Sequence, residues 1–206
     1  NIFGQERLIY KTQPIDVALI RATFADENGN ISMHKEVCPC DATAMAQAAR
    51  NSGGKVIVQV ERVVKAGSID PKLVKIPGIL VDAVVVSTPE EHQQCFNKEY
   101  DPTLTGEAYA PDGAFEALPL SAKKIIGRRA AMELSENKVV NLGIGAPEDV
   151  SAVANEEGIG DYMTLTVEAG PIGGIPMGGT QFGGSRNADC YFDQNVMFDF
   201  YDGGGI

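Results

Sequence analysis

Three apolar runs, residues 15–23, 55–61 and 79–87, constrain the fold of this chain more than any other feature. Each is rich in Val, Ile or Leu and carries at most two charged residues. Nearly continuous runs of this length suit strands of a parallel sheet covered on both faces. Between the first two lies Ala42–Asn51, an Ala-rich stretch with Asp41 in the N-cap position and Gly53-Gly54 to close it. Asp26-Glu27-Asn28-Gly29-Asn30 supplies a turn in which positive φ comes at low cost. Strand, helix, strand at this spacing predicts an α/β layer on a parallel sheet.

Residues 88–120 change character, because Pro89, Pro102, Pro111, Pro119, Gly106 and Gly113 break every hydrophobic period. Such a stretch reads as a linker or surface crossing between two folded units. Beyond it, Ser121 is placed to cap a helix running to about residue 137, with Ala122, Ile126, Ala130 and Leu134 sharing one face. Lys123, Lys124, Arg128, Glu133 and Glu136 then form a solvated face, and the Arg128-Arg129 pair is a secondary candidate for phosphate contact. A strand over 138–142 enters the turn Gly143-Ile144-Gly145. Pro147 suits the first position of the next helix, Glu148 and Asp149 complement its dipole, and Gly158 ends it. Val150, Val153 and Ala154 are its expected buried stripe. The second unit thus reads α, β, tight loop, α, β.

Its second strand, 162–167, ends in Val167-Glu168-Ala169-Gly170, a single acid leaving an apolar strand into glycines. Strand ends are where α/β proteins present chemistry, although one Glu opening a turn is by itself ordinary. Twelve of the 23 glycines fall in 158–206, about a quarter of that stretch against a usual ~7%. Low complexity is a poor explanation, since Ile172, Ile175, Met177, Phe182, Tyr191, Phe192, Phe198 and Tyr201 are interleaved and sufficient for a core. Glycines in such company permit close approach by a ligand or another segment. Gly143-x-Gly145 also invites a dinucleotide-binding reading, but Glu148 stands where the third glycine belongs. An acid at that helix N-terminus opposes a pyrophosphate. The remaining reading is a turn that brings backbone N–H groups beside a reacting centre.

At 206 residues the chain is one large domain or two small ones, and 44% hydrophobic with 22% charged residues fits a globular core. A net charge of -11 counts against a nucleic-acid partner and an anionic membrane surface. No apolar run approaches the ~20 residues of a membrane span, and no signal peptide is visible. Cys38, Cys40, Cys95 and Cys190 give no disulfide framework, which favours the cytoplasm. Cys38-Pro39-Cys40 with His34 is half of a paired zinc signature, so no metal is expected and the cysteines read as packing residues near a turn. The opening Asn1-Ile2-Phe3-Gly4 and the ending Asp202-Gly203-Gly204-Gly205-Ile206 read as those of an internal piece of a longer protein.

Val167-Glu168-Ala169-Gly170-Pro171-Ile172-Gly173-Gly174, preceded by Asn141-Leu142-Gly143-Ile144-Gly145-Ala146-Pro147, resembles the β-type half of the family I coenzyme A transferases. Asp16-Val17-Ala18-Leu19-Ile20-Arg21, Asp26-Glu27-Asn28-Gly29-Asn30-Ile31 and Val58-Gln59-Val60-Glu61-Arg62-Val63-Val64 are similar to the end of the α-type half. Pro89-Glu90-Glu91-His92-Gln93-Gln94 and Phe198-Asp199-Phe200-Tyr201-Asp202-Gly203-Gly204-Gly205 look most like the fused acetate or propionate CoA-transferases. The resemblance covers nearly the whole chain, with its motifs in family order. It implies two tandem α/β domains with mainly parallel sheets, both incomplete: 1–103 as the C-terminal part of the α-type domain, 104–120 as linker, and 121–206 as the N-terminal part of the β-type domain.

In that family the Glu of an E-x-G-x-x-G setting is the covalent nucleophile, which falls on Glu168. Many members have Ser-Glu-Asn-Gly where Val167 and Ala169 flank the acid here, so side-chain hydrogen bonds beside it do not carry over. The resemblance implies ping-pong transfer of CoA between a short-chain acyl-CoA and a free carboxylate. It implies no cofactor, CoA being a substrate, and a homo-oligomer for the full-length protein. Gly143, Gly145, Gly173 and Gly174 are the candidate backbone donors for oxyanions and CoA. A non-catalytic ligand-sensing domain of related α/β fold is the alternative.

Overall fold

The computed structural model describes residues 2–96, 98–111 and 117–200. The first half runs β1 (Val17–Arg21), β2 (Phe24–Asp26), β3 (Ile31–Ser32), α1 (Ala42–Asn51), β4 (Lys55–Val60), β5 (Arg62–Val64), β6 (Val74–Ile76) and β7 (Ala83–Val86). The second runs α2 (Ala122–Ala131), β8 (Val139–Asn141), α3 (Glu148–Glu156), β9 (Thr164–Thr166), β10 (Pro171–Ile172), β11 (Ile175–Pro176), β12 (Ser185–Arg186), β13 (Cys190–Tyr191) and α4 (Gln194–Phe200). The architecture is α/β. Its longest pairings are parallel, in the sheet β1-β4-β7, with antiparallel pairing confined to short strands. The Tyr201–Gly205 part of the terminal resemblance lies outside the described residues.

The first core forms where Ala42, Ala46 and Ala49 of α1 meet Ala18, Ile20, Val56, Val58 and Val60 of the sheet. Small residues on the helix bring it close to the β-branched surface. The expectation of strands covered on both faces is corrected here. β1 alternates, with Ala18 and Ile20 buried while Leu19 is 71% exposed, because α1 covers one face and no described helix covers the other. Asp41 also departs from its expected role. It precedes α1 but makes no side-chain cap, and its carboxylate accepts instead from the Asn195 N–H at 3.0 Å. The third run is strand only over β7, since Gly78–Leu80 forms a 3-10 turn, and Val74–Ile76 adds a further short strand before it.

In the second half α2, β8, α3 and β9 follow the predicted order, and β8 pairs in parallel with β9. Ser121 Oγ accepts from the Lys124 N–H at 3.2 Å, the predicted cap. The buried face of α2 is the predicted one only in part, since Ala130 and Leu134 pack against the core but Ala122 and Ile126 do not. Lys124, Gly127 and Ala131 face inward, while Ile126 is 54% exposed and the helix stops at Ala131. The cause is a close crossing of α2 over α3, where a Cβ on Gly127 would lie 3.3 Å from the Asp149 carbonyl. Lys124, expected in solvent, is drawn in by the Leu118 carbonyl and the Glu156 carboxylate, each at 2.6 Å. Arg128 pairs with Glu157 and Arg129 with Glu133, so neither presents a free guanidinium for phosphate. On α3, Val150, Val153 and Ala154 are buried as expected, and Pro147 stands one position earlier, at the N-cap.

Residues 101–110 and 185–195 join the halves. Asp101 is buried against Lys98 and Arg186, and Leu104 is fully buried with its carbonyl accepting from Tyr191 Oη at 2.8 Å. Asn187 makes two side-chain bonds to the backbone of Ala110. No helix among the described residues is long and apolar enough to cross a membrane.

Candidate active site

Glu168 occupies the corner of the β9–β10 hairpin. Val167 N–H donates to the Pro171 carbonyl at 3.0 Å and Gly170 N–H to the Val167 carbonyl at 3.1 Å. Glu168 and Ala169 are therefore the central pair of a tight turn. Its base is fixed by burial, since Thr166 and Val167 are at most 1% exposed, while Glu168 itself is half-buried. Gly170, at φ 139°, lets the turn pass against Phe192, whose N–H donates to the Gly170 carbonyl at 2.9 Å.

The Gly143–Gly145 turn leaves the C-terminal end of β8, the parallel neighbour of β9. Leu142 N–H reaches the Thr166 carbonyl at 3.4 Å, so this turn and Glu168 share one end of the sheet. That end is where α/β sheets gather ligands. Gly143 is exposed, with no heavy atom within 4 Å of where a Cβ would stand, and Gly145 takes φ 90°. Glu148, at the start of α3, accepts from the Gly179 N–H at 3.3 Å, so the acid that spoils the dinucleotide fingerprint bridges two loops.

Gly173 and Gly174 require a correction. β10 runs back along β9, with Ile172 opposite Thr166, and the Gly173 N–H is spent on the Leu165 carbonyl at 2.8 Å. At ~3.3 Å per residue these two glycines sit on the order of 10 Å along the strand from the Glu168 turn. They pack instead against Asp189, Arg186 and Asn187, where a Cβ would come within 2.1 Å of Asp189 or of the Arg186 carbonyl. The E-x-G-x-x-G spacing alone did not reveal that the hairpin reverses direction between its glycines.

A cavity of about 500 Å³ lies near the turn, lined by Arg21, Val37, Cys38, Gln94, Phe96 and Phe182 among others. Glu168 is not in its wall. The wall approaches the turn through Gly183, which follows Phe182 and would place a Cβ 3.8 Å from that of Ala169. Glu90, Glu91, Gln93 and Gln94 of the wall belong to a stretch singled out by the family resemblance, whereas Val37 and Phe182 carried no sequence signal beyond hydrophobicity. Arg21 is held by Glu36 at 2.6 Å and reaches the Gln94 carbonyl at 3.3 Å. Gln94 in turn donates to the Lys35 carbonyl at 2.7 Å and accepts from the Asp101 N–H at 2.8 Å, which fixes this side of the cavity. Asp101 is held below the usual carboxylate range: burial raises its pKa, but bonds from Lys98 and Thr103 outweigh that. His34, considered with the cysteines for a metal, packs edge-on against Phe24 at 5.1 Å.

Comparison with known proteins bears on this geometry. Residues 2–87 match the family described as Coenzyme A transferase. Over 98% of its length the chain is 48% identical to the caffeate CoA-transferase of Acetobacterium woodii and 41% identical to the acetate CoA-transferase YdiF of Escherichia coli K12. This chain belongs to the coenzyme A transferase family. It spans 39% and 38% of the lengths of those two relatives. The crystal structure of the YdiF apoenzyme from E. coli O157:H7 matches with a TM-score of 0.82 at 39% identity, covering 96% of this chain and 36% of that one. A YdiF structure described as a thioester complex with CoA matches with a TM-score of 0.79 at 38% identity, covering 96% and 37%. The α/β fold of this coenzyme A transferase chain is thus shared with YdiF along nearly its whole length.

Proposed function

We propose that the full-length protein moves CoA between a short-chain acyl-CoA and a free carboxylic acid, with Glu168 as the covalent nucleophile. Acetyl, propionyl, butyryl and lactoyl groups are the acyl classes of this reading. The observation that carries it is the position of Glu168: a carboxylate on a pinned turn, at the same sheet end as the Gly143–Gly145 loop. The description of YdiF as a thioester complex with CoA supports the same chemistry.

A carboxylate is ionised at neutral pH and needs no base. Glu168 attacks the acyl-CoA carbonyl, which forms a mixed anhydride and expels CoA thiolate. The thiolate attacks the glutamyl carbonyl, giving the glutamyl-CoA thioester and releasing the first acid as its carboxylate. An incoming carboxylate attacks that thioester and makes a new anhydride and CoA thiolate. The thiolate then attacks the new acyl carbonyl and frees Glu168. Each step exchanges one activated acyl group for another, as expected of nucleophilic catalysis with ping-pong kinetics. Gly143 and Gly145 are the backbone donors this reading retains for the oxyanions, a contribution of about 3 kcal/mol each in comparable sites. The reading carries with it a cytoplasmic, homo-oligomeric enzyme with no cofactor beyond its CoA substrate. It also treats 1–103 and 121–206 as parts of an α-type and a β-type domain joined by 104–120.

Incubating the full-length protein with acetyl-CoA and mapping its peptides by mass is the test. A CoA adduct on the Glu168 peptide, absent in Glu168→Gln, is expected. No adduct, with Glu168→Gln as fast as wild type, would sink the reading. The 206 residues alone are expected to show no turnover.

A further inference from the structure

We propose that Cys38-Pro39-Cys40 is a thiol–disulfide exchange site whose substrate is a low-molecular-weight aliphatic disulfide. The two sulfurs are 3.3 Å apart, and a disulfide is about 2.05 Å long, so closure asks for little more than 1 Å of travel. Cys40 is exposed and Cys38 half-buried, which gives one sulfur access to a solution reagent and places the other behind it. Cys40 has φ 45°, an uncommon backbone region for a residue with a side chain, so the turn is held by its surroundings. The holding groups are identifiable. Ala42 N–H donates to the Pro39 carbonyl at 3.2 Å, and Gln194 N–H to the Cys40 carbonyl at 3.1 Å.

Electrostatics give the two thiols different roles. The hydrogen bond from Cys38 lowers the Cys40 thiol pKa against burial and the nearby Asp41 and Glu36 carboxylates. The same bond, with burial, pushes Cys38 up. Cys40 is therefore the attacking thiolate and Cys38 the resolving thiol. In the first step Cys40 loses its proton to water and its sulfur bonds to one sulfur of the reagent, which expels the other half as a thiolate. In the second, Cys38 loses its proton, bonds to Cys40 Sγ and expels the remaining half. Two protein thiols are oxidised, and one disulfide is reduced to two thiols.

Two neighbours link the turn to the rest of the molecule. Cys38 lines the cavity near Glu168, and α4 is tied to the turn through Gln194 and through Asn195, which donates to Asp41 Oδ1. Oxidation therefore alters a cavity wall and the acceptors that dock α4. Nothing in this proposal depends on the transfer chemistry assigned to Glu168.

The test treats the full-length protein with glutathione disulfide and maps its thiols by mass. Wild type is expected to lose two hydrogen atoms, with one Cys38–Cys40 bridge and Cys95 and Cys190 still reduced. Cys38→Ser is expected to accumulate a glutathionyl group on Cys40, and Cys40→Ser to react at least ~10-fold more slowly than wild type. Hydrogen exchange at the Gln194 and Asn195 amides is expected to change on oxidation and return with dithiothreitol. A bridge involving Cys95 or Cys190, four thiols intact after equilibration, or equal reaction of both serine variants would overturn the proposal.

Discussion

Gly170 and Phe192 touch backbone to backbone: a Cβ on Gly170 would stand 2.3 Å from the Phe192 carbonyl oxygen. The contact pins the far side of the turn that carries Glu168, so the position of the proposed nucleophile depends on a residue with no reactive group. Gly170→Ala adds a methyl where there is no room, at φ 139°, and is expected to destabilise by about 3 kcal/mol. Denaturant unfolding measures this, and a change under ~0.5 kcal/mol would contradict the packing described.

Glu168→Asp shortens the side chain by one methylene while keeping a carboxylate. A shift of about 1 Å in a reacting group costs on the order of 100-fold in rate. The variant is expected to retain a CoA adduct that forms at least ~100-fold more slowly than in wild type, measured by quench and mass. Equal rates would show that the acid at 168 is not the attacking group.

The sequence disclosed strands and helices where each element's own side chains decide the outcome. Val56, Val58 and Val60, the Ser121 cap and the Val150–Val153 stripe all follow from local pattern. It misled wherever a distant partner decides. Lys124 is buried because Glu156 and the Leu118 carbonyl meet it, and neither lies within one turn of helix. Leu19 is exposed because no described helix covers its face of the sheet, which an apolar run has no means of signalling. Around the candidate site, the strand-end positions of Glu168 and the Gly143–Gly145 turn were legible because each follows a strand of a parallel pair. Gly173 and Gly174 were misplaced because a hairpin carries them to the other end of β9.

Two of the ion pairs of α2 are expected to differ in worth. Lys124 is buried, so Lys124→Ala leaves the Leu118 carbonyl without its donor and Glu156 with only the longer Arg128 pair at 3.7 Å, and is expected to cost about 3 kcal/mol. Arg129 and Glu133 are an exposed i,i+4 pair, and Arg129→Ala is expected to cost at most ~0.5 kcal/mol. Comparable losses in urea unfolding would contradict the assigned burial.

Asp101 couples the junction of the halves to acid. Its folded pKa lies below the ~3.9 of an unfolded Asp, so its stabilisation is complete above about pH 5 and is lost as pH falls toward the folded value. Wild-type stability should therefore decline between about pH 5 and pH 2. Asp101→Asn should be less stable near neutrality, by about 3 kcal/mol, with a flatter acid limb that converges on wild type. Parallel thermal-midpoint curves across that window would exclude Asp101 as the titrating group.

The backbone of Gly143 offers a way to separate an oxyanion donor from a structural turn. A Cβ at this position meets no heavy atom within 4 Å, so Gly143→Ala is expected to leave both stability and turnover near wild type. Gly143→Pro removes the N–H and adds a ring that fixes φ, and loss of one oxyanion donor typically costs about 100- to 1,000-fold in kcat. A fall of that size in Gly143→Pro, with a thermal midpoint within a few degrees of Gly143→Ala, is the expected result. If both variants turn over alike, stabilisation of the anhydride-forming step rests on another donor, and Gly143 serves only to let the chain leave β8.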